Sequence, residues 1–476
     1  MVFSSIPFLL YFLPVFLLIY YLAGNKLKNV VILLGSIFFY AWGAPKFIFV
    51  ILGTTVLDFL FVQKMHSYSQ PLKKKLMLIL SLSMNLGLLF YFKYCNFFID
   101  NLNPLLSGLN LGHINLAKVI LPIGISFYTF ESITYVVDVY RGIHKPLKNF
   151  WDYQLYIIFF PKLIAGPIVR YHDIADQITD RFDKTGMDDR LIGFNRFIIG
   201  LSKKVLIANV LGQQADQIFN AGNYSQLSGA TAWFGALCYS MQIYFDFSGY
   251  SDMAIGLARM MGFRLPENFN RPYISQSITE FWKRWHMTLG AWMRNYLYIP
   301  LGGNRQTAIR TYANLWIVFL FSGLWHGASW TFIIWGAYHG FWMVMERLGL
   351  SRVMQKVPGG LKIIISFLIV VVGWVLFRID QLPDAVQYLH QLFNLSGGTF
   401  VATNNLVIFT LLLAIFISFS AYYKPFKNLA DTAWYDIELL KNNKALWLFF
   451  VSLILFVLCL SRIVGSDFNP FIYFRF

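Results

Sequence analysis

Apolar runs separated by short polar breaks dominate the chain. Ser5–Ala23, Val30–Trp42, Phe47–Val62, Leu76–Phe92 and Leu116–Tyr140 follow one another in the N-terminal part, and several approach the ~20 residues with which an α-helix spans hydrocarbon. The shorter runs predict tilted, paired or re-entrant helices, because a backbone in lipid has to satisfy its own hydrogen bonds. Phe150–Ala165 is interrupted by Pro161 and Lys162 and ends at Gly166 and Pro167, which suits a half-helix better than a clean crossing. Arg170–Arg190 is the most polar stretch and predicts an interfacial loop or helix. Apolar runs resume at Leu191–Val210, Ala230–Phe245, Leu315–His326, Trp330–Met345, Ile363–Leu376, Leu406–Ala421 and Leu446–Leu460. The pattern predicts an all-α polytopic membrane protein with roughly eleven crossings plus re-entrant pieces. No repeat or linker separates a second domain, so residues 1–476 read as one membrane domain. Its N-terminal helices occupy about 1–140, a core about 150–345 and C-terminal helices about 360–476.

Composition agrees: 57% of residues are hydrophobic and 13% charged, against about 25% charged in soluble domains. The net charge of +16 does not mark a nucleic-acid binder, because the basic residues sit in the breaks between apolar runs and not on one face. Lys26 and Lys28, then Lys64 with Lys73, Lys74 and Lys75, then Arg141, Lys145 and Lys148 mark alternate loops, which the positive-inside rule assigns to the cytoplasm, with the N-terminus outside. The first 25 residues carry no charged side chain and so lack the basic start of a cleavable signal, and this helix is expected to be retained. Cys95, Cys238 and Cys459 are isolated and lack metal-ligand spacing, so neither a disulfide framework nor a metal site is expected.

Candidate chemistry concentrates between Gln242 and His339, where polar and aromatic residues occur in membrane-like surroundings. Such residues are costly in lipid and face a cavity, a partner or a substrate path. Ser277 and Glu280 have capping-box spacing and predict a helix running through Phe281, Trp282, Trp285, Leu289 and Trp292 as one apolar stripe. His286 would lie off that stripe beside Lys283 and Gly290, with the glycine leaving room at the ring; a buried histidine held by one hydrogen bond is the competing reading. His326 interrupts an apolar run between Gly323 and Gly327, where an intramembrane ionisable group is functional by default. Imidazole suits proton transfer near neutral pH, and the glycines would let substrate approach it; the alternative is a histidine that joins two helices. His339 fits that structural role better. Asp246 and Asp252 need cationic or donor partners, with Arg271, Lys283, Arg284 and Arg294 the nearest downstream candidates. The Gly302–Arg305 break suggests irregular backbone that could face a phosphate-bearing donor.

Several stretches resemble the membrane-bound O-acyltransferase superfamily, and more narrowly its alginate O-acetyltransferase membrane-subunit branch: Phe160–Arg170, Gln242–Asp252, Pro266–Tyr273, Phe281–Arg305, Gly323–Gly340, Gly373–Arg378 and Phe471–Phe476. The resemblance extends over nearly the whole chain. It implies helices surrounding a central funnel, with His326 in the active-site histidine position and His286 in the second polar position. Asp246, Ser248, Tyr250 and Lys283 join them as candidate substrate-binding residues, together with Arg284, Trp285, Asn295, Arg305 and Trp325. Asn295 departs from the branch, which often has aspartate there, so no essential carboxylate is assigned to it.

The resemblance further implies acetyl transfer from cytoplasmic acetyl-CoA, with no tightly bound cofactor and no metal. The acetyl group would pass to an extracytoplasmic SGNH-type or similar acetyltransferase partner and then to hydroxyls of an alginate-like exopolysaccharide or of peptidoglycan, at the bacterial inner membrane. D-alanyl transfer toward teichoic acid is the nearest enzymatic alternative. A transporter or flippase is the non-enzymatic one, although no paired interrupted helices in matching halves favour it. The charge pattern makes a direct prediction: a cysteine placed at Lys74 is shielded from an impermeant thiol reagent in intact cells and reacts in inverted vesicles. Labelling from outside would contradict the assigned orientation.

Overall fold

A computed structural model describes residues 1–181, 186–394, 397–428, 442–466 and 468–470. Among these residues the chain is helical, with one isolated β-bridge and no strand. The closing stretch Phe471–Phe476 and part of the polar stretch before Arg190 lie outside the described residues. Among the described residues four helices are long and apolar enough to cross a membrane: Ile48–Ser67, Pro71–Gly108, Gly359–Arg378 and Leu446–Val464. Pro7–Leu22 and Asn405–Ser420 are apolar but shorter. The chain divides into two compact units, one formed by Met1–Arg190 with Ala258–Pro266 and the other by Leu191–Leu257 with Glu267–Phe476.

In the first unit, α1 (Pro7–Leu22), α2 (Asn25–Gly43), α3 (Ile48–Ser67) and α4 (Pro71–Gly108) follow the predicted apolar runs. The run Leu116–Tyr140 does not form one crossing. Helix α5 (Ile125–Tyr140) begins only after Pro122 and Gly124; the glycine takes φ +79°, and a Cβ there would lie 2.6 Å from the Leu163 carbonyl. Close approach to the segment carrying Leu163 therefore stops the helix. The broken segment appears as α6 (Phe150–Ile158) and the single-turn α7 (Phe160–Leu163), with every residue from Tyr153 to Val169 buried. Helix α8 (Tyr171–Thr179) follows.

Ionisable groups hold these helices together. Asn85 of α4 donates to both carboxylate oxygens of Asp58 on α3 at 2.9 Å, and Ser81 donates to the same carboxylate. Lys162 pairs with Glu131 of α5, both fully buried, and lies 4.7 Å above the Tyr156 ring. Asp138 accepts from His172 of α8 at 2.7 Å. Each group would be expensive in lipid alone, and pairing converts that cost into a fixed helix register.

In the second unit, α9 (Met187–Ser202) continues through a π-helical turn at Lys203–Ala208 into α10 (Asn209–Phe219). It packs along α11 (Gly229–Met260), whose 32 residues run well past the predicted end at Phe245. The carboxylate stretch is therefore helical. Glycines form the seam: a Cβ on Gly200 would sit 2.4 Å from the Gly249 carbonyl, and one on Gly256 would sit 2.5 Å from the Gly193 carbonyl. Small residues let two backbones touch in this way. Along the same seam Arg196 and Lys203 clamp Asp252 at 2.6 Å each, and Lys204 meets Asp246 at 2.9 Å. The aspartates thus pair with upstream cations on α9 and the π-turn, partners that sequence proximity did not suggest.

After α11 come two short helices, α12 (Ile278–Arg284) and α13 (Met287–Trp292), then the hairpin of α14 (Ala308–His326) and α15 (Trp330–Met345). Helices α16 (Gly359–Arg378), α17 (Leu382–Phe393), α18 (Asn405–Ser420) and α19 (Asn442–Val464) complete the unit. In the α14–α15 hairpin a Cβ on Gly323 would stand 2.2 Å from the Phe332 carbonyl, and one on Gly336 would stand 2.4 Å from the Phe319 carbonyl. Gly336→Ala is accordingly expected to lower stability by about 1–3 kcal/mol through overpacking, whereas Gly360→Ala, with nothing within 4 Å, is not destabilised. Thermal unfolding in detergent distinguishes them, and equal midpoints would contradict the close-contact account.

Candidate active site

The predicted helix through Phe281 and Trp292 does not run unbroken. Ser277 caps its start as expected, its hydroxyl accepting from Glu280 N at 3.0 Å. The buried Glu346 carboxylate at the end of α15 adds a second cap, accepting from Ile278 N at 2.6 Å and Thr279 N at 3.0 Å. Negative charge suits this end of a helix. The helix then stops, because His286 adopts φ +46°, ψ 52° and starts α13 in a new direction. A non-glycine residue in the left-handed region needs local support.

Asn268 supplies that support. It is fully buried, and its main-chain carbonyl accepts from Met287 N at 2.9 Å. Its side-chain Oδ1 meets His286 Nδ1 at 3.0 Å and accepts from Thr288 Oγ1 at 2.9 Å and Thr288 N at 3.4 Å. Its Nδ2 donates to Ser251 Oγ on α11 at 3.0 Å. The Phe247 ring stands edge-on to the imidazole at 4.7 Å. Asn268 was not among the candidates from sequence. It lies in the Pro266–Tyr273 stretch, 18 residues before the histidine it holds, and no local spacing links the two.

His286 is 2% exposed, its Nε2 has no hydrogen-bond partner among the described residues, and it lines a cavity of about 570 Å³. The walls are formed by Trp282, Trp285, Met293, Phe319 and Ser322 among others, and Gly290 is part of the lining. A Cβ on Gly290 would meet only the Trp282 carbonyl, at 3.6 Å, so the expected space beside the imidazole is present. Lys283, Arg294 and Arg347 also line the cavity and are solvent-exposed, and no carboxylate lines it. The arrangement runs from cations at an open rim to a buried imidazole with one free nitrogen, a layout suited to an elongated ligand with an anionic end.

His326 ends α14, 5% exposed, and does not line this cavity. Its ring packs against Trp325 at 4.9 Å and against Trp335 and Phe377 at 5.1 Å. Trp325 also approaches His286, at 6.0 Å, so one indole touches both imidazoles. The glycines around His326 do not open a path to it. Gly323 admits the Phe332 backbone, and a Cβ on Gly327 would be 2.1 Å from the Phe332 ring; close helix packing, and not substrate access, requires them. His339 is fully buried with Trp282 at 4.9 Å and Trp335 at 5.1 Å, and it packs against Gly373. Among the described residues neither ring nitrogen has a hydrogen-bond partner, so ring packing and not the expected hydrogen bonding holds it.

Of the remaining candidates, Lys283 and Trp285 line the cavity. Asp246, Ser248 and Tyr250 lie buried on α11 outside its lining, with Asp246 committed to Lys204. Arg284 pairs with Glu280 at 2.8 Å. Asn295, Arg305 and Trp325 are not part of the lining, although Asn304 of the irregular Gly302–Arg305 break is. Arg347 was missed because it follows the apolar run of α15, where a cation reads as a helix-end charge.

The membrane-bound O-acyltransferase family model matches residues 143–380, a range containing both histidines, Asn268 and the cavity's lining. A probable alginate O-acetylase of Pseudomonas putida is 42% identical over the full length of both chains. The peptidoglycan O-acetyltransferase of Helicobacter pylori is 38% identical over 83% of this chain and 80% of its own. A teichoic acid D-alanyltransferase of Bacillus subtilis is more distant, 30% identical over 46% of this chain and 58% of its own. The chain belongs to the membrane-bound O-acyltransferase family. It is a multi-pass, all-helical membrane acyltransferase.

Proposed function

We propose that the protein O-acetylates a cell-envelope or exported polysaccharide from the bacterial inner membrane, taking acetyl groups from cytoplasmic acetyl-CoA and passing them to an extracytoplasmic SGNH-type partner. The observation that carries the reading is the cavity, where exposed rim cations lead to the Nε2 of His286, which has no hydrogen-bond partner among the described residues. Phosphates of a coenzyme A donor would meet Lys283, Arg294 and Arg347, and its thioester arm would lie along the tryptophan wall. The alginate and peptidoglycan relatives support acetyl as the group and a polysaccharide hydroxyl as its destination. In this reading the single acyltransferase domain has roughly eleven crossings around a central funnel.

The chemistry needs a base, because a hydroxyl attacks a thioester poorly until its proton is removed. His326 takes the proton in this proposal as the acceptor oxygen bonds to the acyl carbon, the carbon–sulfur bond breaks, and the thiolate leaving group is then protonated. His286 orients substrate across Trp325. No covalent acyl-enzyme is required. The D-alanyl alternative keeps the same core but draws on a carrier protein.

Labelled acetyl-CoA tests the reading. Purified protein with its partner should consume the thioester and label the partner or polymer, and His326→Gln should lose about 10²–10⁴-fold in rate with donor binding retained. Substantial transfer by His326→Gln would contradict the assigned base. Label taken only from a D-alanyl carrier would favour the alternative donor.

A further inference from the structure

The hydrogen bonds around Asn268 determine which nitrogen of His286 carries the proton. Thr288 N can only donate, and it faces the same side-chain atom of Asn268 as Thr288 Oγ1 and His286 Nδ1 do. That atom is therefore the carbonyl oxygen Oδ1, and the amide Nδ2 is turned to Ser251 Oγ. An oxygen acceptor at 3.0 Å from Nδ1 requires Nδ1 to be the protonated nitrogen in the neutral ring, because a neutral imidazole has one donor and one acceptor. The free nitrogen in the cavity-lining ring, Nε2, then holds a lone pair.

We infer that Asn268 is a positioning residue that locks His286 in the Nδ1–H tautomer, so that His286 meets substrate as a hydrogen-bond acceptor and not as a donor to developing oxyanion charge. The inference rests on the proposed acyl transfer in this cavity. It selects between two roles open to His286, since charge on a carbonyl oxygen is stabilised by donors and Nε2 has none to offer. The group received is an O–H or N–H of bound substrate other than the hydroxyl deprotonated by His326. Sugar acceptors carry such hydroxyls and the arm of a coenzyme A donor carries such amides.

Three features support a dedicated device over incidental packing. The bond joins residues 18 positions apart. Asn268 also holds the backbone at Met287, and so sustains the left-handed geometry that turns the ring. Its remaining polar group is anchored on α11 through Ser251, and Thr288 N, which can only donate, fixes which way the amide faces. The ring is confined on another side by Phe247, edge-on at 4.7 Å.

The test compares Asn268→Ala, Asn268→Asp and His286→Gln in membranes with the acetyltransferase partner, recording kcat, donor KM and thermal unfolding. Asparagine to aspartate keeps an oxygen for His286 and Thr288, and the Ser251 hydroxyl can rotate to donate. Asn268→Ala should therefore lower kcat by about 10–100-fold, the scale seen when a group orienting a metal-bound histidine is removed, with donor KM within about twofold. Asn268→Asp should recover most of that loss. A purely structural asparagine instead lowers the thermal midpoint of Asn268→Ala in step with its activity, because the loss then comes from the fold and not from the orientation of the ring. Near-normal kcat in Asn268→Ala, or Asn268→Asp less active than Asn268→Ala, overturns the inference. Loss of activity in His286→Gln beside an active Asn268→Ala refutes the positioning role alone. Full transfer by His286→Gln and His326→Gln together refutes the proposed acyl transfer beneath it.

Discussion

A charged or hydrogen-bonding group within a membrane protein has to find its partner on another part of the same chain, and this constraint organises both units. In the first, Asp58, Glu131 and Asp138 each tie one helix to a neighbour through Asn85, Lys162 and His172. In the second, Arg196, Lys203 and Lys204 tie α9 and its π-turn to α11 through Asp252 and Asp246. Hydrophobic burial drives helices together only weakly in lipid, so paired polar groups and glycine contacts set the register. The same requirement makes exceptions informative. His286 Nε2 stands without a hydrogen-bond partner in a buried ring, and it does so in a ring that lines the cavity with cations at its rim.

The α9–α11 seam also determines the geometry of the site. Ser251, one residue from the clamped Asp252, anchors Asn268, and Asn268 fixes His286. A shift along the seam would thus reach the imidazole through a short chain of hydrogen bonds. On the other side, Glu346 at the end of α15 caps α12, linking the hairpin that carries His326 to the helix preceding His286. The two histidines are consequently supported from different helices and meet at Trp325.

Much of the helical layout was legible in the apolar pattern, and α15 has the bounds read from it, Trp330–Met345. Errors arose where polar residues found distant partners. Asp246, Ser248, Ser251 and Asp252 look like the end of an apolar helix, yet α11 continues to Met260 because Arg196, Lys203 and Lys204 pair with the aspartates from 40 or more residues upstream. His286 was legible as a candidate, but its left-handed backbone was not, since helical spacing on either side conceals a break imposed by Asn268. The glycines flanking His326 were legible only as small residues; their neighbour is Phe332, whose position depends on the turn of the hairpin. Lys283 and Trp285, both candidates from sequence, line the cavity, whereas Arg347 enters it only through the packing of α15 beside α12.

The account turns on the cavity at His286 being the place where an acyl donor is held. A structure of the protein with a non-transferable acetyl-CoA analogue tests this most directly. The account predicts phosphate density against Lys283, Arg294 and Arg347, with the acyl end deep in the cavity beside His286. Donor density elsewhere in the protein, with this cavity empty at saturating analogue, would contradict it.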